Sequence, residues 1–95
     1  GISDEDRVSA AVTVRAREGR VRALFSEALT ADPGLSGEIE VSWVLEAGRV
    51  VEVEVVSDST GAPHLAEALQ RILRRWRFAP DLAGEFSWTF AVRAS

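Results

Sequence analysis

The sequence predicts an α+β fold: a three-stranded antiparallel sheet in the spatial order second, first, third strand, with helices packed on one face and one extra N-terminal segment. Three observations predict it. Residues 38–46 and 85–93 alternate apolar and polar side chains, as half-buried strands do. Ala47-Gly48 supplies a two-residue turn between the first of these and a return strand over 49–57. Between that hairpin and the last strand lies LAEALQRILRRWRF, residues 65–78, in which Leu65, Leu69, Ile72, Leu73 and Trp76 share one helical face.

In chain order, residues 2–6 read as a helix start, with Ser3 as N-cap, Asp6 at the capping-box position, and Asp4 and Glu5 adding negative charge to the first turn. VSAAVTVRAR then fits two elements. Val8, Ala10, Val12, Val14 and Ala16 alternate as a strand would, whereas Val8, Ala11, Val12 and Arg15 share a helical face behind the cap. Residues 1–17 are therefore an N-terminal helix or an extra strand, ahead of a core over 18–93 within one domain spanning 1–95.

From Glu18, Val21, Leu24, Phe25, Ala28 and Leu29 follow the 3.6-residue period, Gly19 marks a joint with the preceding segment, and Asp32-Pro33-Gly34 ends the helix. In the first strand Ile39, Val41, Trp43 and Leu45 face inward, with Glu38, Glu40, Ser42 and Glu46 opposite. In the second, Val51, Val53 and Val55 face the core and Glu52 and Glu54 face water. After the polar connection 57–62, Pro63 suits the first turn of the central helix, where its missing N–H is not needed. Ala79-Pro80 stops that helix, and 81–84 form a loop. In the last strand Phe86, Trp88, Phe90 and Val92 point inward and Ser87, Thr89 and Ala91 outward, between Glu85 and Arg93.

A helix that crosses the sheet after a hairpin returns the chain so that the third strand runs antiparallel to the first and pairs beside it. The second and third strands are left as open edges.

At 95 residues the chain buries about 60 to 70% of its unfolded surface. With 15 acidic against 11 basic residues and a net charge of −4, it is not built for wholesale nucleic-acid or anionic-membrane binding. It has no cysteine, hence no disulfide or thiolate chemistry, and no apolar run long enough to span a membrane. No cofactor is expected.

His64 stands alone, without a second ligand for zinc, and reads as a surface histidine. Ser57, Asp58 and Ser59 with His64 have triad letters but no nucleophile elbow, so the chain reads as a non-enzyme. Glu38, Glu40, Glu52 and Glu54 form a solvated acidic sheet face that discourages edge-to-edge aggregation, with a docking surface for a basic partner or divalent-ion binding as the alternative readings. Arg71, Arg74, Arg75 and Arg77 suit the negative end of the central helix, with Glu67 to Arg71 as an i, i+4 pair. Arg71, Arg74 and Arg75 are also a candidate secondary binding site. Trp43, Trp76 and Trp88 are core residues.

The helix GRVRALFSEAL, the DPGLSGEIEV approach to the first strand, the GRVVEVEVVSDST hairpin exit and ALQRILRRWRFAP ahead of an aromatic strand, taken in this order, resemble the C-terminal domain of TonB, especially the AgmX/PglI-type domains of myxobacterial envelope and gliding-motility proteins. The segment RRWRFAP resembles the RRWR-aromatic-x-Pro run of TonB itself. Members of the AgmX/PglI type commonly carry two cysteines where this chain has Leu24 and Ala68 or nearby apolar residues, so that staple is absent here. The resemblance implies a periplasmic module of a longer, inner-membrane-anchored protein. It implies capture of an outer-membrane or periplasmic protein segment as an added strand along Glu85, Phe86, Ser87, Trp88, Thr89, Phe90, Ala91, Val92 and Arg93. A homodimer through the same edges is the alternative expectation.

Overall fold

The computed structural model describes residues 3–93 as α1 (Asp4–Arg17), α2 (Gly19–Ala31), β1 (Gly37–Glu46), β2 (Arg49–Asp58), α3 (Pro63–Arg74) and β3 (Gly84–Val92). Ile2, at the predicted helix start, lies outside the described residues. The sheet order is β2-β1-β3, and β1 is antiparallel to both neighbours, as the topology predicts.

The ambiguous N-terminal segment is a helix. The Ser3 hydroxyl accepts a hydrogen bond from the Asp6 N–H at 3.2 Å and so satisfies one of the free donors of the first turn. Its buried face is not the expected one, however. Ala10 and Val14 enter the core while Val8 and Val12 are each 63% exposed. α2 buries Val21 and Phe25 with Leu24, Ala28 and Leu29 packed beside them, in the predicted period.

β1 supplies the fully buried Ile39, Val41, Trp43 and Leu45. Its turn into β2 has positive φ at both central residues, 51° at Ala47 and 76° at Gly48, the combination a two-residue hairpin of type I′ needs. β2 departs from simple alternation. Val44 pairs with Glu52 but Leu45 with Val50, leaving Val51 as an extra residue, and Val56 is skipped in the same way between Ser57 and Val55. Each bulge turns its valine outward, so Val51 is 53% exposed rather than in the core, and Val50 packs against the core in its place.

α3 ends at Arg74, four residues before the predicted stop. Arg75 and Trp76 donate to the Ile72 and Leu73 carbonyls at 3.1 and 3.0 Å, closing the last turn tightly. Beyond it Trp76 and Phe78, two residues apart, both reach the core, while Arg77 forms an isolated bridge with Arg49. Helical backbone would have turned those two rings to different sides; extended backbone puts them on the same one. Phe78 stacks on Trp43 with ring centroids 5.9 Å apart. The following loop is less peripheral than predicted, because Leu82 is fully buried and its carbonyl accepts from the Gly48 N–H at 2.9 Å.

The Glu67–Arg71 pair does not form. Among the described residues the ion pair present joins Arg22 to Glu18 at 2.7 Å.

Candidate functional site

Among the described residues β3 has one neighbour, β1, so its other side is an unpaired edge. The hydrogen bonds at the start of β1 fix which groups it presents. Glu38 donates from its N–H to Ser59 Oγ, and its carbonyl accepts from the Ser59 N–H, both at 2.9 Å, so its backbone polar groups point toward β2. In an antiparallel ladder the residue opposite such a position also points its N–H and C=O away. That residue is Ala91, and the register from Gly84 to Val92 runs without a shift. Glu85, Ser87, Thr89 and Ala91 therefore offer their backbone donors and acceptors to the open edge.

The two edges differ. β2 is bulged twice and partly occupied at its start by the Arg77 bridge, both of which disfavour pairing, whereas β3 is regular along its whole length. Arg93 lies one residue past the strand as observed.

Beside this edge is a trough of about 330 Å³ with Arg7, Ala11 and Val14 of α1 on one wall, Glu85 to Trp88 on the other and Trp43 between them. The Arg15 guanidinium carbon lies 6.0 Å from the centroid of the Trp88 ring, at the outer limit of a cation–π contact. Trp88 is half-buried rather than a core residue, whereas Trp43 and Trp76 are both buried. Trp76→Ala should lower stability by about 3 to 5 kcal/mol in urea unfolding followed by circular dichroism, and Trp88→Ala by clearly less. Equal losses would contradict the burial assigned to them.

The outer face of the sheet is acidic. Glu52, Val44 and Glu85 form one cross-strand row, Glu54, Ser42 and Ser87 the next, and Glu40 pairs with Thr89. The Ser57–Ala62 connection is occupied structurally: Asp58 Oδ1 accepts from the Thr60 N–H at 2.8 Å and from Thr60 Oγ1 at 2.6 Å, and Ser59 Oγ holds the start of β1. His64 is exposed.

The predicted arginines divide. Arg71 and Arg75 line a larger cavity, of about 700 Å³, between α3 and the α1–α2 corner, and Arg74 does not. Arg17 and Arg20 complete that lining, although the sequence reading did not single them out. No local pattern joins residues so far apart in the chain; only the fold of α1 and α2 against α3 does.

An antiparallel three-stranded sheet with helices on one face, a regular open C-terminal edge strand and a helix-walled trough beside it define the class of this domain. Its particular likeness is to TonB. The solution structure of the TonB C-terminal domain from Helicobacter pylori, covering residues 179–285 of that protein, has a TM-score of 0.54 to this chain at 19% identity, over 100% of this chain and 96% of that one. A solution structure of the shorter fragment 194–285 has a TM-score of 0.50 at 21% identity, over 76% of this chain and 87% of that one. No protein-family model and no curated protein sequence matches the chain. The fold is thus that of the TonB C-terminal domain, and the helices and sheet order expected from the sequence are present.

Proposed function

We propose that this domain is a protein-interaction module of an envelope-spanning, TonB-like complex, which binds an extended segment of an outer-membrane or periplasmic partner by adding it as a strand to β3. The observation that carries the reading is the uninterrupted, unpaired edge on which Glu85, Ser87, Thr89 and Ala91 turn their backbone groups outward. Main-chain hydrogen bonds along such an edge supply affinity, and alternate side chains of the incoming strand supply selectivity. Those on the helix side would enter the trough against Trp88, Ala11 and Arg7. Those on the other side would meet the acidic face at Glu85.

The TonB fold supports a periplasmic setting as part of a longer inner-membrane-anchored protein; no helix among the described residues is long and apolar enough to cross a membrane. A gliding-motility role of the AgmX/PglI type rests on the order of sequence signals. Non-enzymatic binding is favoured because Ser59 and Asp58, near His64, are engaged in strand and turn hydrogen bonds.

Titrating the labelled domain with segments of outer-membrane partners should move the amides of Glu85, Ser87, Thr89 and Ala91 in heteronuclear NMR spectra. Shifts confined to the helices would sink the strand-addition mechanism. The same edge fits a second copy, so light scattering over a concentration series is the companion measurement. A partner-binding monomer stays near 10.3 kDa, whereas a homodimer through β3 doubles that mass with concentration.

A further inference from the structure

The cavity between α3 and the α1–α2 corner is a second, independent feature, since none of its lining residues belongs to β3. Its walls carry Arg17, Arg20, Arg71 and Arg75, all exposed, over an apolar floor that includes Ile72 and the buried Trp76. No acidic residue lines it, and the ion pair among the described residues, Arg22–Glu18, leaves these four guanidinium groups uncompensated.

Helix electrostatics account for only part of the cluster. Arg17 and Arg71 lie in the last turns of α1 and α3, where positive charge is favourable. Arg20 does not: it is the second residue of α2, at the positive end of that helix, where an arginine is opposed by the dipole and by its neighbours. Arg75 lies past the end of α3 yet faces the same space. Like charges gathered round a concave site in a protein of net charge −4 are stabilised by an anion, and guanidinium forks match carboxylates in pairs.

We propose that this groove binds a carboxylate-rich peptide segment of a partner protein, in which acidic side chains pair with Arg17, Arg20, Arg71 and Arg75 and an intervening apolar side chain rests on Ile72 and Trp76. Concavity selects a peptide: a volume of about 700 Å³ walled by helices on both sides admits side chains, whereas a flat bilayer surface meets only its rim. The site gives a partner a second point of attachment to the domain, and its existence does not depend on strand addition at β3.

The test uses a short blocked peptide alternating glutamate with leucine, and the same peptide with glutamine for glutamate. The acidic peptide should shift the side-chain resonances of the four arginines and the Trp76 indole, leave the β3 amides unmoved, and bind more weakly as salt is raised. The glutamine peptide should not bind. In the Arg20→Gln/Arg75→Gln double variant the affinity should fall roughly tenfold with the urea midpoint unchanged. Arg20→Gln alone removes a cation from the positive end of a helix, so it keeps the fold and should show part of the loss. Absence of binding at millimolar peptide, or equal affinity in the double variant, would overturn the proposal. Arginine-dependent binding of phosphatidylglycerol vesicles without peptide binding would also overturn it, and assign the groove to lipid headgroups.

Discussion

Gly48→Ala should lose most of its cooperative unfolding transition, because the turn at this residue ties three parts of the fold together. A Cβ at position 48 would collide with the Phe78 carbonyl oxygen and stand 2.6 Å from that of Ala79, which are backbone atoms and cannot swing aside. The φ of 76° adds the strain of a left-handed conformation. Relief would require the turn to retreat from the loop after α3, breaking the Phe78 N–H to Gly48 carbonyl bond of 2.8 Å and the Gly48 N–H to Leu82 carbonyl bond of 2.9 Å. Those bonds hold Phe78 in its stack on Trp43 and Leu82 in the core. A loss of about 3 kcal/mol or more is expected, a large share of the stability of so small a domain. Gly19→Ala is the control. Its Cβ would meet nothing within 4 Å and the residue is helical, so that variant should be equal to the parent or more stable by about 0.5 to 1 kcal/mol. Urea midpoints followed by tryptophan fluorescence separate the two, and an unshifted midpoint for Gly48→Ala would refute the packing described.

The reach of this glycine explains why parts of the fold were legible in the sequence and others were not. β1, β3 and α2 declare themselves, because each has one periodicity, and the hairpin follows from Ala47-Gly48. β2 does not, since Val50, Val51, Val53, Val55 and Val56 offer apolar residues in both phases and only the pairing with β1 decides which of them is the extra one. α1 has the same ambiguity between two apolar stripes, and only its packing in the fold decides that Ala10 and Val14 are buried while Val8 and Val12 are exposed. The end of α3 was invisible because Trp76 continues the helical period and is buried although it lies beyond the helix. At the sites, the β3 edge was legible from topology alone, while the outward set of its backbone groups depends on one bond pair at Glu38, and the arginine groove needed residues from three helices to be brought together.

That outward set leads to the sharpest functional expectation. Thr89 points its N–H away from β1, so Thr89→Pro removes no bond of the sheet, and proline is tolerated in strands at edge positions of this kind. The variant should fold, with a urea midpoint near that of the parent, yet it presents no donor at the middle of the edge and sets a ring where an added strand would lie. Binding of an extended partner segment should drop by tenfold or more, on the order of the loss of one main-chain hydrogen bond together with steric exclusion at its neighbours. Phe90→Pro makes the contrast: one residue on, the N–H faces β1 and the ring is buried, so this substitution breaks the ladder and the core and should unfold the domain. If Thr89→Pro unfolded the protein as Phe90→Pro does, the alternation assigned to β3 would be reversed. If it folded and still bound partner segments at full affinity, the partner would be docking elsewhere, and the regular open edge would be a feature of the fold rather than the means by which it works.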